Sequence, residues 1–318
     1  MFNRILLPLD HSALAECVLP HSIAMARAFE SQVTLLHVME TVHGAHWRRA
    51  MDPLNWQIRK TEMTTYLHDL GHHLRQAGVR AEMQILEGWG ADQVIEFSRA
   101  NQIPLIILSS HGQSGLSGWN VSSVVQKIVL RACTSIMIVR AYQPATPTVA
   151  DLRYQRILVP MDGSQRAECI LPVATTLARA YDAPIVLVHI VRRPEMPRRT
   201  PPPREDVELA ERLVARNRTE AEQYMEDLRA RLGGNVETRV IVSDHVATTL
   251  HELVEQEQFD LVLLSAHGCS GQMRWPHGSV VSSFISYGTT PLFIMQDVLP
   301  ERPAPTPAEV AARECGRH

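Results

Sequence analysis

The sequence lacks several features that would place it in a common class of protein at once. No apolar run approaches the roughly 18 residues of a membrane-spanning helix, and the start MFNRILLPLD leads into a strand-like run without the layout of a signal peptide. The 31 Lys and Arg residues do not exceed the 34 Asp and Glu residues, so the basic excess typical of nucleic-acid-binding proteins is missing. We therefore expect a cytoplasmic protein with no membrane span and no nucleic-acid partner.

Common catalytic and metal-binding motifs are also missing. The five cysteines have no CxxC spacing, which disfavours a disulfide framework and a zinc knuckle. No GxxxxGK(S/T) loop is present and no GxGxxG follows the first predicted strand, so a P-loop NTPase and an ordinary dinucleotide dehydrogenase are disfavoured. The serines of two HGxSG segments are not central in GxSxG, which disfavours a nucleophile elbow. We assign no catalytic residue and no metal-ligating residue. We expect slow hydrolysis of ATP at most.

An internal duplication organises the chain. The segment RILLPLDHSALAECVLP at 4 to 20 returns as RILVPMDGSQRAECILP at 156 to 172, with 11 of 17 positions identical. A second pair of similar segments begins at 108 and 264. A period of about 150 residues is the size of a complete domain rather than of a solenoid repeat. Because proline clusters favour extended linkers, we predict domains at 1 to 143 and 154 to 298, a linker at 144 to 153 and a flexible tail at 299 to 318.

In each copy, short apolar runs alternate with segments of helical periodicity, such as Ala13 to Phe29 and Thr61 to Gln76. Runs without polar alternation are typical of parallel strands buried on both faces. We predict an α/β fold of two tandem doubly wound parallel-sheet sandwiches. The last runs, Ile136 to Val139 and Leu292 to Met295, would otherwise be exposed edges, so we expect them to pack together in an intrachain pseudo-dimer.

Polar residues and glycines follow the predicted strands. The first strand of each copy ends at Asp10 or Asp162, a residue that can cap the next helix, contact a ligand, or do both. The fourth strand runs into HGQSG or HGCSG, where two glycines let backbone amides approach a phosphate. Gly278 and Ser279 can then open a helix whose positive end faces that phosphate. His267, at the mouth of the second loop, can bond a phosphate or a loop carbonyl.

These motifs resemble the universal stress protein family. The resemblance rests on I-L-(V/L)-P-x-D-x-S in each copy, on a His that closes the second strand, and on S-x-H-G-x-S-G followed by G-S-V. It covers residues 3 to 143 and 155 to 297 and looks like the tandem members of the family, with their adenine nucleotide alpha hydrolase-like fold. It implies a stress-response regulator that binds ATP or AMP, with Mg²⁺ if the ligand is ATP.

The resemblance also implies site residues. In the nucleotide-binding members, which carry G-x2-G-x9-G-(S/T), the loop amides and the last Gly-Ser hold phosphates. The first-strand Asp and Pro hold the nucleoside, and the residue after the second-strand His meets the adenine. With His267 included, the predicted site of the second copy is Pro160, Asp162, Ile190, His267, Gly268, Gly271, Gly278 and Ser279. The weaker site of the first copy is Pro8, Asp10, Val38, Gly112, Gly115 and Ser123.

The sequence departs from the family pattern in both copies. Six residues separate Gly271 from Gly278 instead of nine, and the first copy has Ser122 in place of Gly278. We therefore predict that the second copy is the better nucleotide site. The alternatives are a nucleotide-free interaction protein with vestigial, apolar or lipid-binding clefts, and, less favoured, a metal-dependent enzyme using His68 and His72. Assembly into a homodimer is left open.

Overall fold

A computed structural model describes residues 1–40, 53–113, 115–116, 121–141, 152–194, 203–269 and 277–297. Strands and helices alternate in both halves of the chain. The N-terminal half contains β1 (Arg4–Pro8), a 3-10 turn (Ala15–Cys17), α1 (Val18–Phe29), β2 (Gln32–Met39), α2 (Pro53–Gln76), β3 (Arg80–Glu87), α3 (Gly90–Ala100), β4 (Leu105–Ser109), α4 (Ser123–Arg131) and β5 (Ser135–Val139). The C-terminal half contains β6 (Ile157–Met161), α5 (Gln165–Glu168), α6 (Leu171–Tyr181), β7 (Ile185–Val191), α7 (Arg204–Leu232), β8 (Val236–Val242), α8 (Val246–Gln256), β9 (Leu261–Ser265), α9 (Ser279–Tyr287) and β10 (Leu292–Met295).

The predicted α/β class is confirmed, and two helices differ from their predicted bounds. The segment Ala13 to Phe29 divides into the 3-10 turn and α1, because Pro20 has no amide hydrogen and is tolerated only in the first turn of a helix. Helix α2 begins at Pro53 rather than at Thr61. Most of the linker predicted at 144 to 153 and all of the tail predicted at 299 to 318 lie outside the described residues.

The strands form one continuous sheet in the order β3-β2-β1-β4-β5-β10-β9-β6-β7-β8. All pairs within each half are parallel. Strands β5 and β10, the two predicted edges, pair antiparallel, with Phe293 opposite Met137. This pairing joins two five-stranded sheets into a ten-stranded one, since each edge satisfies the backbone groups that the other would leave open.

Two apolar layers cover the sheet, and each runs through both halves. Helices α1, α2, α6 and α7 pack on one face with strand residues such as Leu7, and α3, α4, α8 and α9 pack on the other with residues such as Leu6. Successive strand side chains point to opposite faces, so runs without polar alternation supply both layers. The ring of Phe2 meets that of Phe293 edge-on at 5.6 Å between centroids, which ties the halves together within one layer.

No helix within the described ranges is long and apolar enough to cross a membrane.

Candidate functional site

Each half has a cavity beyond the carboxyl ends of its first, second and fourth strands. The cavity of the C-terminal half has a volume of about 940 Å³, and that of the N-terminal half has a volume of about 660 Å³. In each half, the second and third strands lie on one side of the first strand, and the fourth and fifth strands lie on its other side. Each cavity therefore lies at the reversal in strand order. Doubly wound sheets bind their ligands at this position.

The predicted residues of the second copy come together at the C-terminal cavity. Gly271 lies outside the described residues. The other seven all line the cavity: Pro160, Asp162, Ile190, His267, Gly268, Gly278 and Ser279.

The predicted residues of the first copy come together only in part. Pro8, Asp10, Val38 and Gly112 line the N-terminal cavity. Gly115 and Ser123 do not belong to its lining, to which the helix start contributes Ser122 and Val124 instead.

Asp162 is fixed at the cavity wall by hydrogen bonds to both carboxylate oxygens. Its Oδ1 accepts from the amide and the hydroxyl of Ser164, at 3.0 and 2.6 Å, and its Oδ2 accepts from the amide of Cys269 at 2.6 Å. Partial burial raises the pKa of this carboxyl, but the hydrogen bonds from Ser164 and Cys269 together lower the pKa below its ordinary value. The group is therefore ionised at neutral pH.

Helix capping and the organisation of the cavity use the same residues. The Ser164 hydroxyl oxygen accepts from the amide of Ala167 at 3.1 Å and caps α5, while Asp162 holds Ser164 in place. The N-terminal half repeats the arrangement, because Asp10 accepts from the hydroxyl of Ser12 at 2.6 Å and from the amide of Gln113. The serine is thus the cap, and the aspartate links it to the glycine loop.

The first glycine of each loop is required by this aspartate. A Cβ on Gly268 would lie 2.0 Å from Asp162 Oδ2, and one on Gly112 would lie 1.9 Å from Asp10 Oδ2. Sequence reasoning attributed both glycines to close approach by a phosphate and missed their contact with the chain's own carboxylate. The signal available was the joint recurrence of the aspartate and the glycine in both copies.

The helices that begin beside the two cavities differ at their N-termini. Ser122 caps α4 with a side chain that accepts from the amide of Val125 at 3.3 Å. Gly278 is the N-cap of α9 and supplies no side-chain acceptor. A Cβ on Gly278 would make only an ordinary contact of 3.6 Å with the carbonyl oxygen of Ala266, so packing does not demand glycine there. The first-turn amides of α9 can therefore receive an anion from the cavity, whereas one of those of α4 is engaged.

His267 bonds a partner that sequence reasoning did not identify. Its Nδ1 lies 2.8 Å from Oδ1 of Asp297, and both side chains are buried. In the N-terminal half, His111 Nδ1 lies 3.1 Å from the hydroxyl of Ser110. Burial, with a further contribution from His267, lowers the pKa of the neighbouring His277 to about 4, so His277 is neutral at pH 7. The two cavities thus differ in the buried polar groups beneath their loops.

Several lining residues were missed because they come from distant elements. Helix α7 contributes Asn217, Glu220 and Tyr224, and the segment after β8 contributes Asp244. Nothing in the spacing of the α7 sequence shows that one turn of this helix overhangs a cavity. Glu220 pairs with Arg216 at 2.9 Å. The lining is accordingly richer in carboxylates than the motifs alone indicate.

Helix α2 carries both histidines of the metal-site alternative, His68 and His72. His72 Nε2 lies 2.9 Å from the amide nitrogen of Gln76. Across the described parts of the chain, no three or more His, Cys, Asp or Glu side chains are grouped so that they could hold a metal ion.

Comparison with known proteins agrees with this fold. The model of the universal stress protein family matches residues 1–140 and 153–296. The chain therefore belongs to the universal stress protein family, and it contains the family's domain twice.

Individual relatives are distant in sequence. The chain is similar to universal stress protein MJ0531 of Methanocaldococcus jannaschii, with 22% identity over 142 residues that cover 44% of this chain and 83% of that protein. It is similar to universal stress protein YxiE of Bacillus subtilis, with 24% identity over 149 residues that cover 44% of this chain and 100% of that protein. Among solved structures, a universal stress protein of Archaeoglobus fulgidus matches 94% of this chain and 100% of its own, with a TM-score of 0.67 and 17% identity. That likeness establishes a shared two-domain fold.

Proposed function

We propose that the chain binds an adenine nucleotide in its C-terminal cavity and acts as a ligand-responsive stress regulator. The observation that carries the proposal is the start of α9, where an N-cap without a side-chain acceptor opens onto a cavity that also holds the ionised Asp162. A helix N-terminus of this kind binds phosphate through its amides and its dipole. The N-terminal cavity, whose helix is capped by Ser122, is the weaker site.

The cavity suits the size and the chemistry of such a ligand. Its volume of about 940 Å³ falls within the range of about 300 to 1,000 Å³ typical of small-molecule sites. Ile190 offers apolar surface to an adenine ring, and the segment from Ser279 to Val281 offers backbone amides to phosphate. Ribose hydroxyls can donate to the carboxylate of Asp162, which the protein already holds ionised.

The charges of the lining bear on which nucleotide binds. Among the residues that the structure describes, Asp162, Glu220 and Asp244 line the cavity together with Arg192. A triphosphate brought to this lining needs a counter-ion, so ATP is expected to bind with Mg²⁺, which would be held by the phosphates and by carboxylates of the lining. A monophosphate carries less charge and does not need the metal ion.

The matched variants Gly278→Ser and Ser122→Gly test the proposal. Gly278→Ser gives α9 the cap that α4 has, at a position where a Cβ meets no close contact. Loss of one hydrogen bond to a charged group, worth about 1.5 to 3 kcal/mol, should weaken nucleotide binding by about 10- to 100-fold. Ser122→Gly should leave binding in the C-terminal cavity unchanged. Isothermal titration with AMP, and with ATP and Mg²⁺, measures both effects.

Native mass spectrometry of the purified protein separates this proposal from its rival. A co-purified adenine nucleotide, lost in Gly278→Ser, supports it. An equal affinity of wild type and Gly278→Ser would contradict the role of α9. The short spacing of six residues between Gly271 and Gly278 favours the rival, a nucleotide-free protein whose cleft is vestigial or holds an apolar or lipid-like ligand, and a co-purified lipid would support that rival.

The same proposal includes the assembly of the chain. The antiparallel pairing of β5 with β10 supports an intrachain pseudo-dimer of the two domains. Sedimentation equilibrium tests whether two such chains associate further into a homodimer.

A further inference from the structure

Helix α9 spans the distance between the C-terminal cavity and the seam where β5 meets β10. Its first turn, from Ser279 to Val281, lines the cavity. Its last turn ends at Tyr287 and contacts the N-terminal half of the chain through Arg140. The helix has nine residues and a length of about 13 Å. Its two ends therefore contact different parts of the protein, and a shift of one end shifts the other.

Arg140 is a charged side chain with no exposed surface, placed directly after β5. Its Nη2 donates to the carbonyl oxygen of Phe284 at 2.7 Å, and its Nη1 donates to that of Ile285 at 3.3 Å. Both carbonyls belong to the last turn of α9, where the helix dipole places partial negative charge. The N-terminal half therefore holds the end of a helix whose start lies at the nucleotide cavity of the other half.

The contact leaves little room for α9 to shift. Gly288 is the C-cap of the helix, and its amide donates to the carbonyl oxygen of Phe284 at 2.9 Å. A Cβ on Gly288 would lie 2.6 Å from that oxygen and 3.1 Å from Arg140 Nη2. Since a buried guanidinium loses its hydration, separation from the carbonyls is costly and the position of the helix end is strongly determined.

The duplication does not repeat this arginine. Residues of the last strands correspond at an offset of 156, which places Gln296 of the C-terminal half at the position of Arg140. Arg140 of the N-terminal half therefore contacts α9, whereas the equivalent residue of the C-terminal half, Gln296, is uncharged. The asymmetry parallels that of the two helix starts, because α9 lacks the side-chain cap that α4 has.

We propose that Arg140 is a positioning residue of the nucleotide site, acting from the other half of the chain. By holding the last turn of α9, it sets where the first-turn amides of that helix stand against a bound phosphate. The inference rests on the proposed function, because it concerns the affinity of the site described there. It assigns to the N-terminal half a part in binding at the C-terminal cavity.

Arg140→Met, which keeps a long side chain but removes the charge and the donors, tests the inference. The affinity for AMP, measured by isothermal titration at a temperature where all variants are folded, should fall by about 3- to 30-fold. Arg140→Lys should recover part of the loss, because it restores a cation but not the paired donors. Gln296→Met is the matched control and should bind as wild type does. Should Arg140→Met fail to fold, Arg140→Lys provides the test, since it keeps the charge but lacks the paired donors of the guanidinium and should still bind AMP more weakly than the wild type.

A role confined to stability would lower the thermal midpoint of Arg140→Met and leave its affinity for AMP at the wild-type value, and that result overturns the inference. Hydrogen exchange supplies a second readout that needs no ligand. Exchange of the hydrogen-bonded amides of α9, from Ser282 to Gly288, should quicken in Arg140→Met and stay unchanged in Gln296→Met. If the wild type binds no nucleotide, the proposed function fails, and unchanged exchange at these amides would then overturn the role of Arg140 as well.

Discussion

Replacing Gly268 with alanine would place a methyl carbon 2.0 Å from Oδ2 of Asp162, well inside van der Waals contact. The carboxylate would have to move, and movement breaks its bond from the amide of Cys269 and strains its bonds from Ser164. Hydrogen bonds to charged groups contribute about 1.5 to 3 kcal/mol each. We expect Gly268→Ala to lower the free energy of unfolding by about 2 to 4 kcal/mol.

Chemical denaturation followed by circular dichroism measures this loss, and two variants control for it. Gly278→Ala adds a methyl group to the same loop region, where the nearest atom, the carbonyl oxygen of Ala266, would be 3.6 Å away, so its effect should stay within about 0.5 kcal/mol. Gly112→Ala repeats the collision in the N-terminal half, with Asp10 Oδ2 at 1.9 Å. It should cost about as much as Gly268→Ala.

The double variant Asp162→Ala/Gly268→Ala decides whether the collision is the cause. With the carboxylate removed, the added methyl group has space, so the second substitution should cost less than about 1 kcal/mol in the Asp162→Ala background. Strictly additive losses would refute the argument, because they would mean that Gly268 is needed for a reason unrelated to Asp162.

Two further predictions concern the seam and His21, a partly buried histidine of α1 whose Nδ1 lies 2.9 Å from the hydroxyl of Tyr154. Burial lowers the pKa of His21 to about 4, so the folded chain binds fewer protons than the unfolded chain between about pH 6.5 and pH 4, and stability falls as the pH falls through this range. In denaturation experiments, the free energy of unfolding of His21→Gln should fall between pH 7 and pH 5 by about 2 kcal/mol less than that of the wild type. An equal fall in both proteins would show that His21 is not buried in its neutral form. Phe293→Ala, which removes a fully buried ring from the seam, should cost about 3 to 5 kcal/mol and reduce hydrogen-exchange protection in β5 as well as in β10. Unchanged protection in β5 would show that the two halves do not share a core.

The strands were predictable because a strand that is buried on both faces is a short run of apolar residues, which is visible in the sequence. A run such as Leu105–Ser109 is apolar throughout and short, and parallel strands covered by helices need that pattern. Helix bounds were less predictable. Helix α2 begins two turns before the predicted residue, and in these turns the apolar side chains of Leu54 and Ile58 are exposed and do not extend the buried face of the helix.

The candidate site was predictable where its residues belong to motifs and unpredictable where they come from distant elements. Asp162 and Gly268 were found because both follow strand ends, but their contact with each other was not. Glu220 and Asp297 were missed, since a carboxylate on a charged helix or after a last strand looks like a solvated group. Only the packing of α7 over the sheet and of β10 beside β9 brings these two carboxylates to the cavity region.

The sequence by itself determined the duplication, the α/β class and the strand ends that carry the glycine loops, because repeats, apolar runs and turn residues are local properties of a chain. Tertiary structure alone decided that the two sheets merge through β5 and β10, that each aspartate touches the first glycine of its loop, and that Arg140 reaches the end of α9. These contacts join residues more than 100 positions apart, and no spacing along the chain encodes which distant backbone atom a side chain will meet once the layers have packed.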